Sequence, residues 1–501
     1  MDAKRLAQAS GFVRSVMSNA QLADIPSGRW AKLVYYTLGF LHDFAYFGYL
    51  TVQPLIFNRV LENLAPFKEY SFEITVFIIS THLFWQVLLE TPTGAYADKR
   101  GRMHAVREHF LLRVGCMALL LLALYLSTSS ELSYVPWLIL ACFFLIELGM
   151  AAAEALLSGS FDAWLVDTLS ASGTKDETAE TFSKGATLFN IAILLSMPLF
   201  LFLASGITEL APDGGGYLVA TVAAVVFALG AIVAHVSRRE VYRIGGEWES
   251  RSKATVKATW REGLLYLWQD RVVWWTTVLK ASPFAAWVVI SWFWPLLVKY
   301  PQTGLESRTA ERWVIGFAIA LAISRVVGSG FSYLVQKLTS PLQGLLHWTG
   351  ITLGAALVAG FSLLYLDRSL LDTLGIPATS GRSSLVLFAY LFGFGILIAK
   401  ASEEVVKVFN QIFLANYVQS DTVRATVISF TGAAMNLIGF ILINLGLVII
   451  WWQSPQNKPP SLLIFASCSG IVLAIVAYSM LRRSMVRVST LETPDPGVPK
   501  T

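Results

Sequence analysis

The chain carries the sequence Glu90-Thr-Pro-Thr-Gly-Ala-Tyr-Ala-Asp-Lys-Arg-Gly-Arg-Met103 directly after an apolar run that begins near residue 71. The run 71–93 is long enough to cross a bilayer, which requires about 20 apolar residues in a helix. The charged residues that follow it, Asp98, Lys99, Arg100 and Arg102, are typical of a helix that leaves the membrane on its basic side.

The composition of the whole chain agrees with a membrane protein. Of its 501 residues, 55% are hydrophobic and only 14% are charged, whereas soluble domains carry roughly 25% charged residues. A disordered protein, a secreted disulfide scaffold and a typical soluble enzyme are therefore excluded. Irregular backbone and open sheet edges are not tolerated in lipid, so we expect an all-α membrane protein.

Twelve windows of the sequence meet the length and apolarity of a membrane span. They are 31–57, 71–93, 110–127, 134–157, 182–206, 217–235, 272–298, 313–335, 345–366, 385–401, 425–452 and 462–481. Alternating the loops across the membrane puts 26 of the 38 basic residues on one side, eight on the other and four within spans. The rich side is predicted to be cytoplasmic, and both termini lie there.

The long basic loop after the sixth window predicts how the chain is organised. We expect a cytoplasmic N-terminal segment, a first six-helix half, a cytoplasmic linker, a second six-helix half and a cytoplasmic tail. Their boundaries are 1–30, 31–236, 237–271, 272–484 and 485–501. The net charge of +5 is explained by basic residues in cytoplasmic loops, which set the membrane topology, rather than by binding to nucleic acid.

The segment from Gly94 to Met103 resembles the loop signature of the major facilitator superfamily, Gly-x-x-x-Asp-[Arg/Lys]-x-Gly-Arg-[Arg/Lys]. The resemblance implies twelve helices in two halves that work by alternating access. Gly94 permits close helix packing and Gly101 permits a tight turn. Asp98 and either Arg100 or Arg102 are expected to form a charged latch with neighbouring helix ends, and Lys99 belongs to the same gate motif. Met103 departs from the basic residue usual in the family.

Three shorter segments resemble the drug-efflux-like branch of the superfamily. They are Glu90-Thr-Pro-Thr-Gly94, Ser158-Gly-Ser-Phe-Asp-Ala-Trp-Leu-Val-Asp167 and Arg424-Ala-Thr-Val-Ile-Ser429. The branch implies export of a small organic compound, and Asp162 and Asp167 are assigned to the inner gate. A faint repeat at 330–337, with Leu334 in the place of Asp98, agrees with two related halves.

Charged side chains predicted near mid-bilayer are the candidates for chemistry, since each costs about 2.5–3.5 kcal/mol to insert. In the first half these are Asp43, Glu147 and Glu154. His42 neighbours Asp43, and Tyr46 and Gln53 share its helix face. Positions 147, 151, 154, 158 and 162 are predicted to form one helical stripe. Asp43 or Glu147 is the expected carrier of a coupling proton.

The second half is basic within its predicted spans. Arg325 is expected to attract the solute or an opposing carboxylate, or else to form a structural ion pair. Lys280 has a simpler interpretation as a side chain that extends to the interface. Lys400 precedes Glu403 and Glu404 on its helix, which predicts a self-compensated ion pair.

No phosphate-binding loop and no metal-ligand spacing is present in the sequence, so no cofactor is expected. The predicted partners are the lipid bilayer, a small-molecule solute and protons, with no nucleic acid. A monomer in the cell (inner) membrane is expected. An uptake permease for an anionic or zwitterionic metabolite stays open as an alternative, as do a lipid flippase and a membrane-embedded enzyme.

The distribution of basic residues makes the topology testable. Reporter fusions at Glu177, Arg251 and Thr490 should report a cytoplasmic location, because these positions lie on the basic side. Fusions at Phe67, Glu306 and Asp372 should report an external location. A cytoplasmic signal at Glu306 would contradict the twelve-span arrangement.

Overall fold

The computed structural model describes most of the chain and divides it into two compact units, Met1–Ala258 and Thr259–Thr501. The described residues are 27–128, 132–158, 160–205, 214–237, 265, 268–299, 323–324, 341–365, 382–417, 421–451 and 458–492. These residues are helical apart from turns and helix ends.

The first unit has seven helices among its described residues. They are α1 Gly28–Asn63, α2 Ser71–Arg100, α3 Arg102–Ser127, α4 Val135–Leu157, α5 Ser160–Ala171, α6 Thr178–Ser205 and α7 Gly214–Val236. Short 3-10 turns at Lys68–Tyr70 and Lys175–Glu177 precede α2 and α6. Ser27 begins α1 as its N-cap, since its hydroxyl accepts a hydrogen bond from the Trp30 backbone N–H at 3.3 Å.

The second unit has six helices among its described residues. They are α8 Arg271–Ala281, α9 Phe284–Lys299, α10 Pro341–Tyr365, α11 Arg382–Tyr417, α12 Asp421–Ile450 and α13 Lys458–Glu492. Asp270 caps α8 by accepting hydrogen bonds from the backbone N–H groups of Val272 and Val273, at 2.9 and 3.2 Å. Helix α10 packs along α11 and α13.

Four helix–helix contacts build the core of the first unit. Helix α3 packs against α4 and α7, α1 packs against α6, and α2 packs against α4. Small residues allow the close approaches: a Cβ at Gly48 of α1 would lie 2.5 Å from the Phe200 ring of α6. This packing places the middle of α1 beside α3 and α4, where the polar residues of the unit collect.

The helical prediction is confirmed in eleven of the twelve windows by the helices of the described residues. The eighth window, 313–335, lies almost wholly outside them. Nine stretches of the described chain are long and apolar enough to cross a membrane by length and composition. The count of twelve spans stays a prediction.

Two sequence expectations are corrected by helix ends. The window 272–298 contains two helices rather than one, separated at Ser282 and Pro283, because proline has no backbone N–H to donate. The stripe expected from 147 to 162 ends with α4 at Leu157, and Ser158 has non-helical angles of φ −54° and ψ 121°. Asp162 therefore lies on the separate helix α5, whereas Glu147 and Glu154 remain on α4.

The motif expected as a loop is instead almost wholly helical. Helix α2 continues to Arg100 and α3 begins at Arg102, so Gly101 alone joins them. Gly101 has φ 122° and ψ 138°, a region that is open to glycine and strained for residues with a Cβ. The turn predicted at Gly101 is confirmed in this sharper form.

The Gly101 junction predicts a local stability effect. Gly101→Ala should destabilise the protein by about 1–3 kcal/mol, because alanine is strained at this backbone conformation. The measurement is the thermal unfolding temperature of the full chain in detergent. Gly115→Ala on α3 is the control, since a Cβ at Gly115 meets nothing within 4 Å. Equal unfolding temperatures for the two variants would contradict the strain argument.

Candidate functional site

Polar side chains collect in the first unit where α1 passes α3 and α4. We call one group the Glu154 cluster; its members are His42, Asp43, Tyr46, His109, Arg113 and Glu154. A second group, the Glu147 cluster, comprises Gln53, His82 and Glu147. Glu147 and Glu154 are seven residues apart on α4, which is about 10 Å along a helix axis.

An ion pair links α3 to α4 within the Glu154 cluster. Nη2 of Arg113 donates to Oε2 of Glu154 at 2.5 Å. The Arg113 side chain has no solvent exposure, while that of Glu154 is 27% exposed. The guanidinium carbon lies 3.9 Å from the centre of the Tyr46 ring, a cation–π contact that helps to hold the buried charge. Nη1 of Arg113 also donates to Sδ of Met150 at 3.3 Å.

His42 on α1 lies between the two carboxylates of the Glu154 cluster. Its Nδ1 is 2.7 Å from Oδ1 of Asp43, and its Nε2 is 3.7 Å from Oε2 of Glu154. The first distance is a hydrogen bond, and the second is too long to be one. His42 is 9% exposed at its side chain and Asp43 is 17% exposed.

His109 on α3 completes the Glu154 cluster. Its ring centre is 5.0 Å from that of His42. Nδ1 of His109 lies 2.6 Å from the carbonyl oxygen of Ala153. Since a carbonyl can only accept a hydrogen bond, Nδ1 carries the proton.

The Glu147 cluster is sealed between α1, α2 and α4. Gln53 donates through Nε2 to Oε1 of Glu147, and Nδ1 of His82 lies 3.3 Å from Oε2 of the same carboxylate. The exposed fractions of the Glu147 and His82 side chains are 2% and 5%. The predicted depth of Glu147 is therefore matched by burial within the unit.

The end of the first unit that carries Gly101 has its own polar contacts. Arg102 Nη1 lies 2.5 Å from Asp167 Oδ2, and the Tyr35 hydroxyl donates to Asp162 Oδ1 at 3.0 Å. Both contacts connect α5 to its neighbours. Arg102 thus has an acidic partner on α5, and its role as a latch stays a prediction. The surroundings of Gly94 and the side chains of Asp98 and Lys99 lie outside the described part of the chain, and Arg100 is exposed.

The three basic candidates of the second unit have different surroundings or lie outside the described residues. Lys400 Nζ lies 2.7 Å from Glu403 Oε2 and 4.2 Å from the centre of the Trp287 ring, so the predicted ion pair on α11 is confirmed. Lys280 is half-buried in the last turn of α8. Arg325 lies outside the described residues.

Sequence reasoning grouped Asp43, His42, Tyr46 and Glu154 in one half but missed Arg113, His109 and His82 as parts of the site. Arg113 offered one signal: it lies in an apolar helix with no acidic residue three or four positions away. A charge of this kind needs a partner from another helix. The histidines lack regular spacing, and among the described residues no group of three or more His, Cys, Asp or Glu side chains is arranged to hold a metal ion.

Known proteins resemble this chain in fold, through solved structures of low sequence identity. Neither a protein-family model nor a curated protein matches the chain. The chain is similar to the solved structure of the nucleoside transporter NupG, with a TM-score of 0.62 and 14% identity, covering 90% of this chain and 99% of that one.

Two further solved structures are similar. One is a bacterial homologue of the iron transporter ferroportin in its outward-facing state, with a TM-score of 0.57 and 15% identity, covering 90% of this chain and 98% of that chain. The other is the D-xylose–proton symporter, with a TM-score of 0.57 and 13% identity, covering 91% and 97%. The chain has the fold of these solved transporter structures. At these identities the likeness shows the fold and not the solute, and it does not extend to the drug-efflux branch.

The Arg113–Glu154 ion pair predicts a non-additive stability effect. Arg113→Gln leaves a carboxylate without its counter-charge and should destabilise the protein by about 3–5 kcal/mol. Arg113→Gln combined with Glu154→Gln should recover most of that loss, because neither charge remains. Thermal unfolding in detergent measures both.

The exposed pair Lys184–Glu180 on α6 is the matched control for this cycle. Lys184→Gln should leave the unfolding temperature unchanged, since solvent screens exposed pairs. If the Arg113→Gln variant unfolded at the wild-type temperature, the ion pair would have no structural role.

Proposed function

We propose that the protein is a secondary active transporter of a small organic solute that works by alternating access and couples transport to protons. The observation that carries this proposal is the Glu154 cluster, which places two carboxyl groups, two imidazoles and a guanidinium together on apolar helices of a transporter fold. Charged groups at such a depth are rare in membrane proteins and usually belong to solute or ion pathways.

Alternating access is supported by the fold and by its neighbours. The bacterial ferroportin homologue is known in outward-facing and inward-facing states. A transporter of this fold moves a solute when its two halves rock about a binding site. The latch at Gly101, Arg102 and Asp167 is suited to stabilising one end of the first half in one of those states.

Proton coupling is supported by the residues of the two clusters. Asp43 and Glu147 each contact a histidine, so each has a neighbour able to share or accept a proton. The similarity to a D-xylose–proton symporter is consistent with coupling to protons. We propose Asp43 or Glu147 as the coupling carboxyl and Arg325 as a residue that attracts solute or an opposing carboxylate.

We propose export as the direction of transport, on the resemblance of the segments around Glu90, Asp162 and Arg424 to drug-efflux transporters. Uptake of an anionic or zwitterionic metabolite is the second candidate, favoured by the basic residues Lys280 and Arg325 in the predicted spans of the second half. Comparing vesicles of opposite orientation distinguishes the two. The similar solved structures are transporters rather than enzymes, which speaks against a membrane-embedded enzyme.

The remaining parts of the proposal concern placement in the cell. We propose a multi-pass protein of the cell membrane, with both termini in the cytoplasm and a monomeric functional unit. The basic asymmetry of the loops supports the orientation. The lipid bilayer, the solute and protons are the proposed partners.

The coupling proposal is tested in proteoliposomes with an imposed pH gradient and a solute panel of a nucleoside, a dipeptide, a pentose and an organic ammonium ion. Asp43→Asn or Glu147→Gln should abolish gradient-driven accumulation, because an amide cannot carry the proton. Exchange of solute down its own gradient should persist, since the amide keeps the shape of the site.

Arg325→Ala should weaken solute binding without altering the unfolding temperature of the solute-free protein. A fall in that temperature would instead assign Arg325 to a structural pair. Glu62→Gln, at the end of α1 and away from both clusters, is the control for the carboxyl variants. If Asp43→Asn and Glu147→Gln both accumulated solute as the wild type does, neither residue would be the proton carrier.

A further inference from the structure

His42 is hydrogen bonded to the Asp43 carboxylate and lies just beyond hydrogen-bond distance of the Glu154 carboxylate. Its Nδ1 is hydrogen bonded to Asp43 at 2.7 Å, while its Nε2 is 3.7 Å from Oε2 of Glu154. Nε2 of His42 is buried and has no hydrogen-bond partner. A movement of less than about 1 Å would bring Nε2 and the Glu154 carboxylate to hydrogen-bond distance.

Two side chains of α3 contact the groups on either side of this gap, His42 on α1 and Glu154 on α4. His109 donates its Nδ1–H to the carbonyl of Ala153, the residue directly before Glu154. Arg113, one helical turn further along α3, holds the Glu154 carboxylate itself. His109 also packs its ring against His42 at 5.0 Å between ring centres. The His109 side chain therefore contacts both the His42 imidazole and the α4 backbone next to Glu154.

We propose that His42 and Glu154 exchange a proton across this gap, and that His109 is the positioning residue that keeps the two groups in place. This inference rests on the proton coupling proposed above and adds a transfer step next to Asp43, which is hydrogen bonded to His42. His109 acts through His42 and Glu154 and does not itself carry the proton.

The step is a single reversible proton transfer. When Glu154 holds the proton, the O–H bond at Oε2 breaks and an N–H bond forms at Nε2 of His42. His42 becomes an imidazolium whose positive charge faces the Asp43 carboxylate, and Glu154 becomes a carboxylate that pairs with Arg113. The reverse transfer restores a neutral imidazole and a neutral Glu154, so the total charge of the cluster is unchanged.

The groups around His42 favour His42 over His109 as the acceptor. On α1 the described neighbours are Asp43 and Tyr46, on α4 Glu154, and on α3 His109 and Arg113. His42 adjoins carboxylates, which stabilise a positive imidazole. His109 lies one turn from Arg113, where a second positive charge would be repelled, and its Nδ1–H is committed to the Ala153 carbonyl.

The test requires no solute and follows the imidazole ¹⁵N resonances of the full chain in lipid vesicles as the pH is varied. The resonance that disappears in His42→Gln identifies His42. In the wild-type background, Glu154→Gln should shift the midpoint of the His42 titration, because it removes the group that exchanges a proton with Nε2. No shift would overturn the proposed exchange.

The positioning role of His109 is tested by repeating that comparison in three backgrounds. In His109→Phe, which keeps an aromatic ring but loses the bond to Ala153, Glu154→Gln should no longer shift the His42 midpoint. In His109→Asn, whose amide can donate to the same carbonyl, the shift should return. His104→Phe is the matched control on α3, and there the shift should equal that of the wild-type background.

An unchanged shift in His109→Phe would overturn the positioning role. If His109→Phe did not fold, His109→Leu would take its place, since it also loses the bond to Ala153: a lost shift supports the role and a full shift contradicts it. Failure of the transport proposal is separate, since it is measured as solute accumulation that ignores the pH gradient in the wild type.

Discussion

A bilayer cannot hold an unpaired charge cheaply, and the first unit is organised around that constraint. Arg113 is fully buried on α3, so it requires a counter-charge from another helix. Glu154 supplies it from α4, and the Tyr46 ring of α1 covers the guanidinium. The ion pair and the cation–π contact thus join α1, α3 and α4 at one place.

The two carboxylates of α4 have different surroundings although they share a helix. Glu147 is 2% exposed and is enclosed by Gln53 and His82, whereas Glu154 is 27% exposed beside Arg113. A group that exchanges protons with water needs at least transient access to it, and Glu154 and Asp43 are only partly buried, at 27% and 17% exposed. A group that fastens helices gains from enclosure, because a low dielectric strengthens its hydrogen bonds.

Helix positions were predictable from the sequence because the bilayer sets both their length and their composition. The Lys400–Glu403 pair was predictable as well, since both residues lie on one helix at a spacing that brings side chains together. The partners of Arg113 and His109 were not, because they come from helices more than 30 residues away in the chain, at Glu154 and Ala153. Sequence spacing carries no information about which faces of two helices meet. The break at Ser282 was missed because the apolar run continues through it although the helix does not. The fourth window did end at residue 157, and only the polar stripe was extended too far, to Asp162.

Because Gly101 alone connects α2 to α3, the direction of each side chain on α3 depends on its distance in sequence from Gly101. Helix α3 starts immediately after it, and each residue of an α-helix advances the side-chain direction by about 100°. His109 and Arg113 therefore face α4 only because they lie eight and twelve residues beyond Gly101. Inserting one residue between them and the junction would turn both away from Glu154 without altering a single side chain. The position of the helix junction thus sets the direction of the buried charged side chains. The number of residues between Gly101 and Arg113 cannot change without moving these side chains away from α4.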